Sequence, residues 1–324
     1  MKIAVAGASG RLGQSFVRKL VENNYDAVAL LRSKSSMGKI PKGVSHRFVD
    51  YNSNTSDLKK TLEDISHIVN ITGTSSTYLP ESELEKANVG ATKKLLEAAP
   101  SSLQKFIHIS SVSVYGKHHD GIRDENSPKN ADSAYAKTKL AGERVALSYK
   151  KNFSVIIIQP GMIYGPGFVG GFYPILRKIL EGKMKLIGDG TNHIPLVHVD
   201  DVSNAILGAL SAKVESGSTY LIVSEPQVTQ TQLIDMAASS LGVSPPNEHA
   251  DYNTMRILVG LKVFYDQLRG KKPSITMDMV DQLYCDRRFS SKKAAMELRF
   301  KPSISFKMGI EQVVNQFLRE NNAR

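Results

Sequence analysis

The sequence predicts an α/β fold: a doubly wound parallel sheet with a smaller, mainly helical C-terminal lobe. Three observations carry that expectation. Short apolar runs alternate with helical patterns from residue 2 to about 160, and strands alternating with helices at this spacing build parallel sheets through crossover helices. The first run ends in Gly7-Ala8-Ser9-Gly10-Arg11-Leu12-Gly13, and a helical pattern follows at once. Residues 154–159 form a continuous run of mainly β-branched residues, as in a strand covered on both faces.

In chain order, Lys2–Ala6 is the first strand, with Ile3, Ala4 and Val5 apolar. The next helix places Leu12, Phe16, Val17 and Leu20 on one face. Asp26–Leu31 and residues 44–49 are the second and third strands. A helix over residues 55–63 precedes a fourth strand over 65–72. Residues 84–98 have helical spacing, 105–110 read as a strand, and 134–149 as a helix before the run at 154–159. After Gly161 the pattern loosens: Gly165-Pro166-Gly167 and Gly170-Gly171 mark a loop, followed by a helix over 173–181. Strands are expected at 196–199 and 220–223, with a helix over 202–210 between them. From Pro226 onward the pattern is mainly helical. The implied domains are 1–160, with returns of the chain at about 190–225, and a lobe over 161–324 interleaved with those returns.

Composition limits the function classes. The 324 residues are 41% hydrophobic and 23% charged, enough to bury a sizeable core. Cys285 is the only cysteine, which rules out an intrachain disulfide or a cysteine-based metal cluster. The longest apolar stretch, near residues 155–164, is broken by Gln159-Pro160-Gly161, so no segment is expected to span a bilayer. Met1-Lys2-Ile3 runs straight into the glycine motif, and no signal peptide and a cytoplasmic location are expected. The net charge is +11, but basic residues are scattered in runs of at most two. With no zinc-finger or RNA-recognition pattern, nucleic acid is not the expected partner. A small-molecule substrate is.

The glycine loop between strand and helix suits a dinucleotide. Glycines let the backbone turn and approach a pyrophosphate, whose charge meets the free N–H groups of the helix N-terminus. Gly7, Ser9, Gly10, Arg11, Leu12 and Gly13 are the candidate residues of a Rossmann-type phosphate loop. At the end of the second strand a carboxylate would bind the ribose hydroxyls of NAD, whereas an arginine suits the 2′-phosphate of NADP. Here the chain reads Leu31-Arg32-Ser33-Lys34. NADP is therefore the expected cofactor, with NAD possible and Arg32 as its phosphate contact. Thr72 and Gly73, at the end of the fourth strand, are where backbone passes the cofactor ribose.

Tyr135 and Lys139 lie four residues apart on one helix face. A phenol is a poor base at neutral pH; a nearby ammonium stabilises the phenolate and makes proton exchange with an alcohol or carbonyl oxygen feasible. In a chain with 12 tyrosines one such pair arises by chance. Its meaning comes from Ser110-Ser111-Val112-Ser113-Val114-Tyr115-Gly116 upstream, where a serine can orient the reacting oxygen.

These motifs together resemble the extended short-chain dehydrogenase/reductase family, of the NAD-dependent epimerase/dehydratase type. Gly7-x-x-Gly10-x-x-Gly13 has its glycine spacing, and Ser110-Ser111-x-x-Val114-Tyr115-Gly116 resembles its S-S-x-x-V-Y-G element. Asn88-Val89-Gly90-Ala91-Thr92 is similar to N-V-x-G-T. Gln159-Pro160-Gly161-Met162-Ile163-Tyr164-Gly165-Pro166-Gly167 resembles R-P-x-x-V-Y-G-P-G, with Gln159 in place of arginine. Val197-His198-Val199-Asp200-Asp201-Val202 resembles H-V-D-D-V. Ser291-Lys292-Lys293-Ala294 to Phe300-Lys301-Pro302 resembles the terminal element, with Arg299 where glycine is usual. The resemblance implies Ser111, Tyr135 and Lys139 as catalytic residues, with Ser110 and Ser113 as alternatives to Ser111. It further implies cofactor contacts at Asp50, Tyr51, Asn88, Pro160, Gly161, Met162 and Ile163, and a homodimer.

Within the family a 4,6-dehydratase would carry Asp-Glu after the active-site serine; Val112-Ser113 stands there instead. Gly188-Asp189-Gly190-Thr191-Asn192 followed by Pro195-Leu196-Val197-His198 is closer to the branch of dihydroflavonol 4-reductase and 3β-hydroxysteroid dehydrogenase. The expected activity is thus an NADP-preferring dehydrogenase or reductase of a hydroxyl or keto substrate, with a nucleotide-sugar 4-epimerase as the alternative. Arg287 and Arg288 lie near where such sugar enzymes present arginine to a diphosphate. His118 and His119 are expected to be exposed, not metal ligands. Residues 255–264 are expected to form a buried helix of the small lobe; an apolar pocket wall and a membrane contact are the other readings.

Overall fold

The computed structural model describes residues 1–75, 79–117, 120–168, 171–271, 273 and 276–322. His118 and His119 lie outside them. Five strands form in the first third of the chain: β1 (Lys2–Ala6), β2 (Asp26–Leu31), β3 (Ser45–Phe48), β4 (His67–Asn70) and β5 (Lys105–Ile109). Two short strands, β6 (Ile122–Arg123) and β8 (Met162–Tyr164), flank β7 (Ser154–Pro160). Later come β9 (Leu186–Ile187), β10 (His193–Ile194), β11 (Leu196–His198), β12 (Ser218–Ile222), β13 (Val228–Thr229), β14 (His249–Ala250) and β15 (Arg288–Phe289). Seven strands make one parallel sheet in the order β12-β7-β5-β4-β1-β2-β3. The chain order reverses beside β1, which leaves a crevice at the carboxyl ends of β1 and β4.

Alternation along each central strand fills both faces of the sheet. Ile3, Val5, Ile107 and Ile156 pack on one side with Phe16 and Val17. Ala4, Phe106 and Ile157 pack on the other with Leu62 and Leu95. Helix α1 (Arg11–Glu22) buries Leu12, Phe16, Val17 and Leu20, each contributing roughly 1.5–3 kcal/mol on leaving water. Helix α2 (Thr55–Leu62) is capped by Asn54, whose side chain accepts from the Ser56 N–H. The single helix expected over 84–98 is instead broken into three: α3 (Glu81–Glu85), a π-helical turn over Lys86–Gly90 and α4 (Ala91–Glu97). The turn places Asn88 against a loop, and that contact competes with a regular helical ladder. Helix α5 (Ala134–Leu147) starts at Ser133, whose hydroxyl oxygen accepts from the Ala136 N–H.

The remaining helices are α6 (Tyr173–Leu180), α7 (Val199–Ser211), α8 (Gln230–Leu241), α9 (Tyr252–Leu268), α10 (Met277–Tyr284), α11 (Lys292–Glu297) and α12 (Phe306–Asn322). Of these α7 packs on α1, and Lys105 closes its far end: the ammonium donates to the carbonyls of Ala209, Leu210 and Ala212, each at 2.8 Å. A second core gathers Tyr164, Leu176, Leu186, Leu233, Ile310 and Phe317. Helix α8 is held by a capping box of Thr229 and Gln232.

The helix expected to be buried over 255–264 is overturned. Helix α9 buries Val259 and Asp266 but leaves Ile257, Leu258, Leu261, Phe264, Tyr265 and Leu268 exposed. Its apolar residues occupy two opposite faces, and only one of them packs, mainly on α10.

Candidate active site

The glycine loop is held where backbone passes backbone. Gly7 has φ +82° and a side chain there would meet the Ile71 carbonyl at 2.8 Å; one on Gly13 would meet the Gly7 oxygen at 2.2 Å. The Gly10 N–H donates to the Gly7 carbonyl at 2.9 Å, and Gly10 begins α1 with no capping side chain. The first turn of α1 contains no acid. Its N–H groups and Ser9 are thus left for an anion, and the residues fit a dinucleotide pyrophosphate. Arg11 lies over the Phe168 ring at 5.8 Å, at the rim of this loop.

At the end of β4 the Asn70 amide oxygen accepts from the Thr72 hydroxyl at 2.5 Å and the Thr72 N–H at 3.1 Å. This turns the chain into Gly73, φ +132°, where a side chain would meet the Asn88 amide oxygen at 2.3 Å. Asn88 accepts from the Thr74 N–H at 2.8 Å and donates to the Thr138 hydroxyl at 2.9 Å. The predicted residues Thr72, Gly73, Asn88 and Lys139 are therefore neighbours. Pro160 ends β7; the Gly161 N–H donates to Ile222 and the Met162 N–H to Pro195. Ile163 pairs with Val197 across β8 and β11.

Arg32 and Asp50 are exposed, at the ends of β2 and β3. Arg32 has no ion pair among the described residues, and its charge reaches the buried Tyr51 phenol. Ser33 hydrogen-bonds Ser35 at 2.8 Å, forming a hydroxyl cluster next to Arg32. Asp50 accepts from the Asn52 N–H at 2.9 Å, which ties its carboxylate to its own turn.

Ser111 caps the short 3-10 turn Val112–Tyr115, accepting from the Ser113 N–H at 3.2 Å. Of the three serines it is the one that acts on the Tyr135 phenol, lowering its pKa. The Ser110 and Ser113 hydroxyls are buried and have no hydrogen-bond partner among the described residues. Burial pushes the Tyr135 phenol up, and Ser111 opposes that rise. Lys139 is pulled down to about 8 by burial, against the pull of the Glu143 carboxylate. Its ammonium donates to the Ile109 carbonyl at 2.5 Å. The depressed tyrosine expected beside Lys139 is therefore not what this structure holds: burial raises the phenol, and the influence that opposes it comes from Ser111.

Two neighbours of this site escaped the sequence reading. Glu143, one turn after Lys139, is buried, with Lys129 at 2.5 Å and the Gln159 amide donating to it at 2.7 Å. Gln159 in turn accepts from the Tyr115 hydroxyl at 3.0 Å. The spacing of Lys139 and Glu143 was a visible signal; the role of Lys129, across a loop, was not. The second is a cavity of about 620 Å³ that includes Lys117, Asp189, His193, Tyr284, Cys285, Asp286 and Arg288 in its wall. None of Ser111, Tyr135 and Lys139 lines it. Lys117 in its wall pairs with Asp278 and Asp281. His193 and Arg288 share Asp286 at 2.8 and 3.0 Å. Arg287 is buried, and its Nε has no partner among the described residues. Those residues contain no group of three or more His, Cys, Asp or Glu able to hold a metal ion, and no helix long and apolar enough to cross a membrane.

Fold and site together define a nicotinamide-dinucleotide-dependent enzyme of the extended short-chain dehydrogenase/reductase type. The chain belongs to the NAD dependent epimerase/dehydratase family, whose model matches residues 3–222. It is 23% identical to 2-alkyl-3-oxoalkanoate reductase of Stenotrophomonas maltophilia, over 97% of this chain and 98% of that one. It is 28% identical to N-acetyl-alpha-D-glucosaminyl-diphospho-ditrans,octacis-undecaprenol 4-epimerase of Escherichia coli O157:H7, over 66% of each chain. Among solved structures, UDP-glucuronic acid 4-epimerase from Bacillus cereus in complex with NAD superposes with a TM-score of 0.77 at 24% identity, covering 99% of both chains.

Proposed function

We propose that the protein is an NADP-preferring dehydrogenase or reductase acting on a carbon that bears a hydroxyl or keto oxygen. The observation that carries this reading is β2 ending at Arg32: an exposed guanidinium, free of carboxylate partners among the described residues, beside a serine cluster. Bound nicotinamide supplies or accepts the hydride. Tyr135 exchanges a proton with the substrate oxygen. Ser111, the neighbour that opposes the rise of the Tyr135 pKa, hydrogen-bonds that oxygen and offsets its changing charge. Lys139, beside Gly73 and Asn88, holds the ribose and keeps positive charge near the phenol. The name of the Stenotrophomonas relative, a reductase, agrees with this reading.

The second reading is a nucleotide-sugar 4-epimerase using the same three residues. Arg288 in the cavity wall, with buried Arg287 next to it in the chain, favours it, because two guanidiniums suit a diphosphate. So do the names of the Escherichia and Bacillus relatives. In both readings residues 1–160, with the returns at about 190–225, bind the dinucleotide, and the interleaved lobe over 161–324 selects the substrate. A cytoplasmic homodimer completes the proposal, and sedimentation tests its assembly.

Mass spectrometry of nucleotide retained after extensive dialysis, followed by NADPH and NADH titration, separates the two. An epimerase reoxidises its own cofactor, so retained, non-exchanging NAD supports the second reading and overturns the first. An emptied protein that prefers NADPH supports the first. Arg32→Asp then lowers the NADPH/NADH affinity ratio by about 10–100-fold, the worth of a charge-assisted hydrogen bond.

A further inference from the structure

The exposed side of α9 carries apolar residues at positions 257, 261, 264 and 268, with Leu258 and Tyr265 widening the stripe. This is the i, i+4, i+7, i+11 spacing of a helix that buries a face. Yet Ile257 is 64%, Leu261 63%, Phe264 61% and Leu268 71% exposed. Met277, at the start of α10, adds another exposed apolar group near Gly260. Monomeric proteins rarely leave such a contiguous stripe in water, and scattered exposed apolar residues do not form one.

Charge identifies what covers it. Residues 252–271 hold four basic side chains, Arg256, Lys262, Arg269 and Lys271, against one acid, Asp266. Asp266 is buried and paired with Lys262 at 2.9 Å. Arg269 lies over the Tyr265 ring at 4.3 Å, at the edge of the stripe, and Lys271 follows it, exposed. An apolar face bordered by cations, on a chain of net charge +11, is complementary to an anionic lipid surface. A second copy docked with the two α9 helices parallel would bring these cations onto each other, which costs energy. Helix α9 has 17 residues and does not qualify as a membrane span, so it lies on such a surface and does not cross it.

The helix is also tied to the cavity wall. Tyr252 stacks on Tyr284 at 3.8 Å, and Arg256 and Lys117 meet on Asp281 at 3.3 and 2.9 Å. We propose that α9 docks the protein reversibly on anionic membranes through Ile257, Leu261, Phe264 and Leu268, with Arg269 and Lys271 at the headgroups. This is independent of which reading of the catalytic site holds.

Flotation of the full chain with vesicles of phosphatidylcholine, with and without phosphatidylglycerol, tests it. The expected result is binding to the phosphatidylglycerol vesicles that weakens in high salt. Leu261→Glu/Phe264→Glu lowers that binding at least about tenfold, since two buried apolar groups are exchanged for charges. Thermal melting and binding of the nicotinamide dinucleotide stay unchanged, because both residues already face water. Arg269→Glu/Lys271→Glu leaves the apolar stripe intact and lowers binding only to the anionic vesicles. No flotation with either vesicle, or flotation indifferent to both double variants, overturns the proposal. So does a dimer in sedimentation that Leu261→Glu/Phe264→Glu dissolves, which would assign the face to a second copy.

Discussion

Burial disfavours the Tyr135 phenolate, and Ser111 is the neighbour that opposes this. Removing the phenol oxygen removes the proton exchange and little else. Tyr135→Phe should therefore lower kcat by about 10²–10⁴-fold, with NADPH affinity nearly unchanged by fluorescence titration. Turnover at the wild-type rate would sink the assigned role. Arg299 illustrates a different residue-scale economy. It adopts φ +56° where the family motif has glycine, and a left-handed residue with a side chain costs roughly 1–2 kcal/mol. Glycine relieves that strain and gives part of it back as chain entropy. Arg299→Gly should stabilise the fold by about 0.5–1 kcal/mol in a denaturant titration; a loss of stability would mean that the arginine side chain makes up the difference. Gln159, where the family motif has arginine, donates to Glu143, and Lys129 supplies the cation that pairs with that buried carboxylate.

Among the elements, α7 depends on a side chain from the sheet. Three carbonyls at its C-terminal end are satisfied by Lys105, a buried lysine whose pKa burial lowers. Lys105→Met keeps the apolar stem and leaves those carbonyls without their donor. The expected cost is about 2–3 kcal/mol, from unsatisfied buried acceptors and the lost charge at a helix C-terminus. Chemical denaturation measures it, and an unchanged midpoint would mean that water replaces the ammonium. The break at Lys86–Gly90 is of the same kind: Asn88 bonds to Thr74 and Thr138, so local helical hydrogen bonds yield to contacts 14 and 50 residues away. Periodicity shows residues 84–98 as one helix because it is blind to those partners.

For the whole molecule, two histidines buried in or beside the central sheet set a pH dependence. Burial, aided by the nearby Lys105 charge, pulls His67 down to about 4, and burial also holds His108 well below the usual range. The unfolded chain then binds more protons than the native one between about pH 4 and 6.5, so stability rises with pH across that window and is lost as pH falls through it. Melting at pH 5 should show a fold weaker than at pH 7, by on the order of 1–2 kcal/mol for His67 alone. His67→Asn should flatten part of that slope; an unaltered slope would assign the effect elsewhere.

The parallel sheet and the glycine loop were legible because their signals are local: short apolar runs alternating with helical patterns, and a turn that excludes side chains. Strand ends agreed to within a few residues for the same reason. What the tertiary structure decided are features with partners far along the chain. Lys129 on Glu143, Lys105 on α7 and the break at Asn88 join residues 14 to 107 positions apart. Whether Tyr135 sits above or below the usual phenol range depends on how deeply it is buried, and burial belongs to the assembled fold. Helix α9 makes the point most plainly. An apolar stripe meant for the core and one meant for an outside surface have the same periodicity, and only the packed lobe shows which of the two faces is already covered.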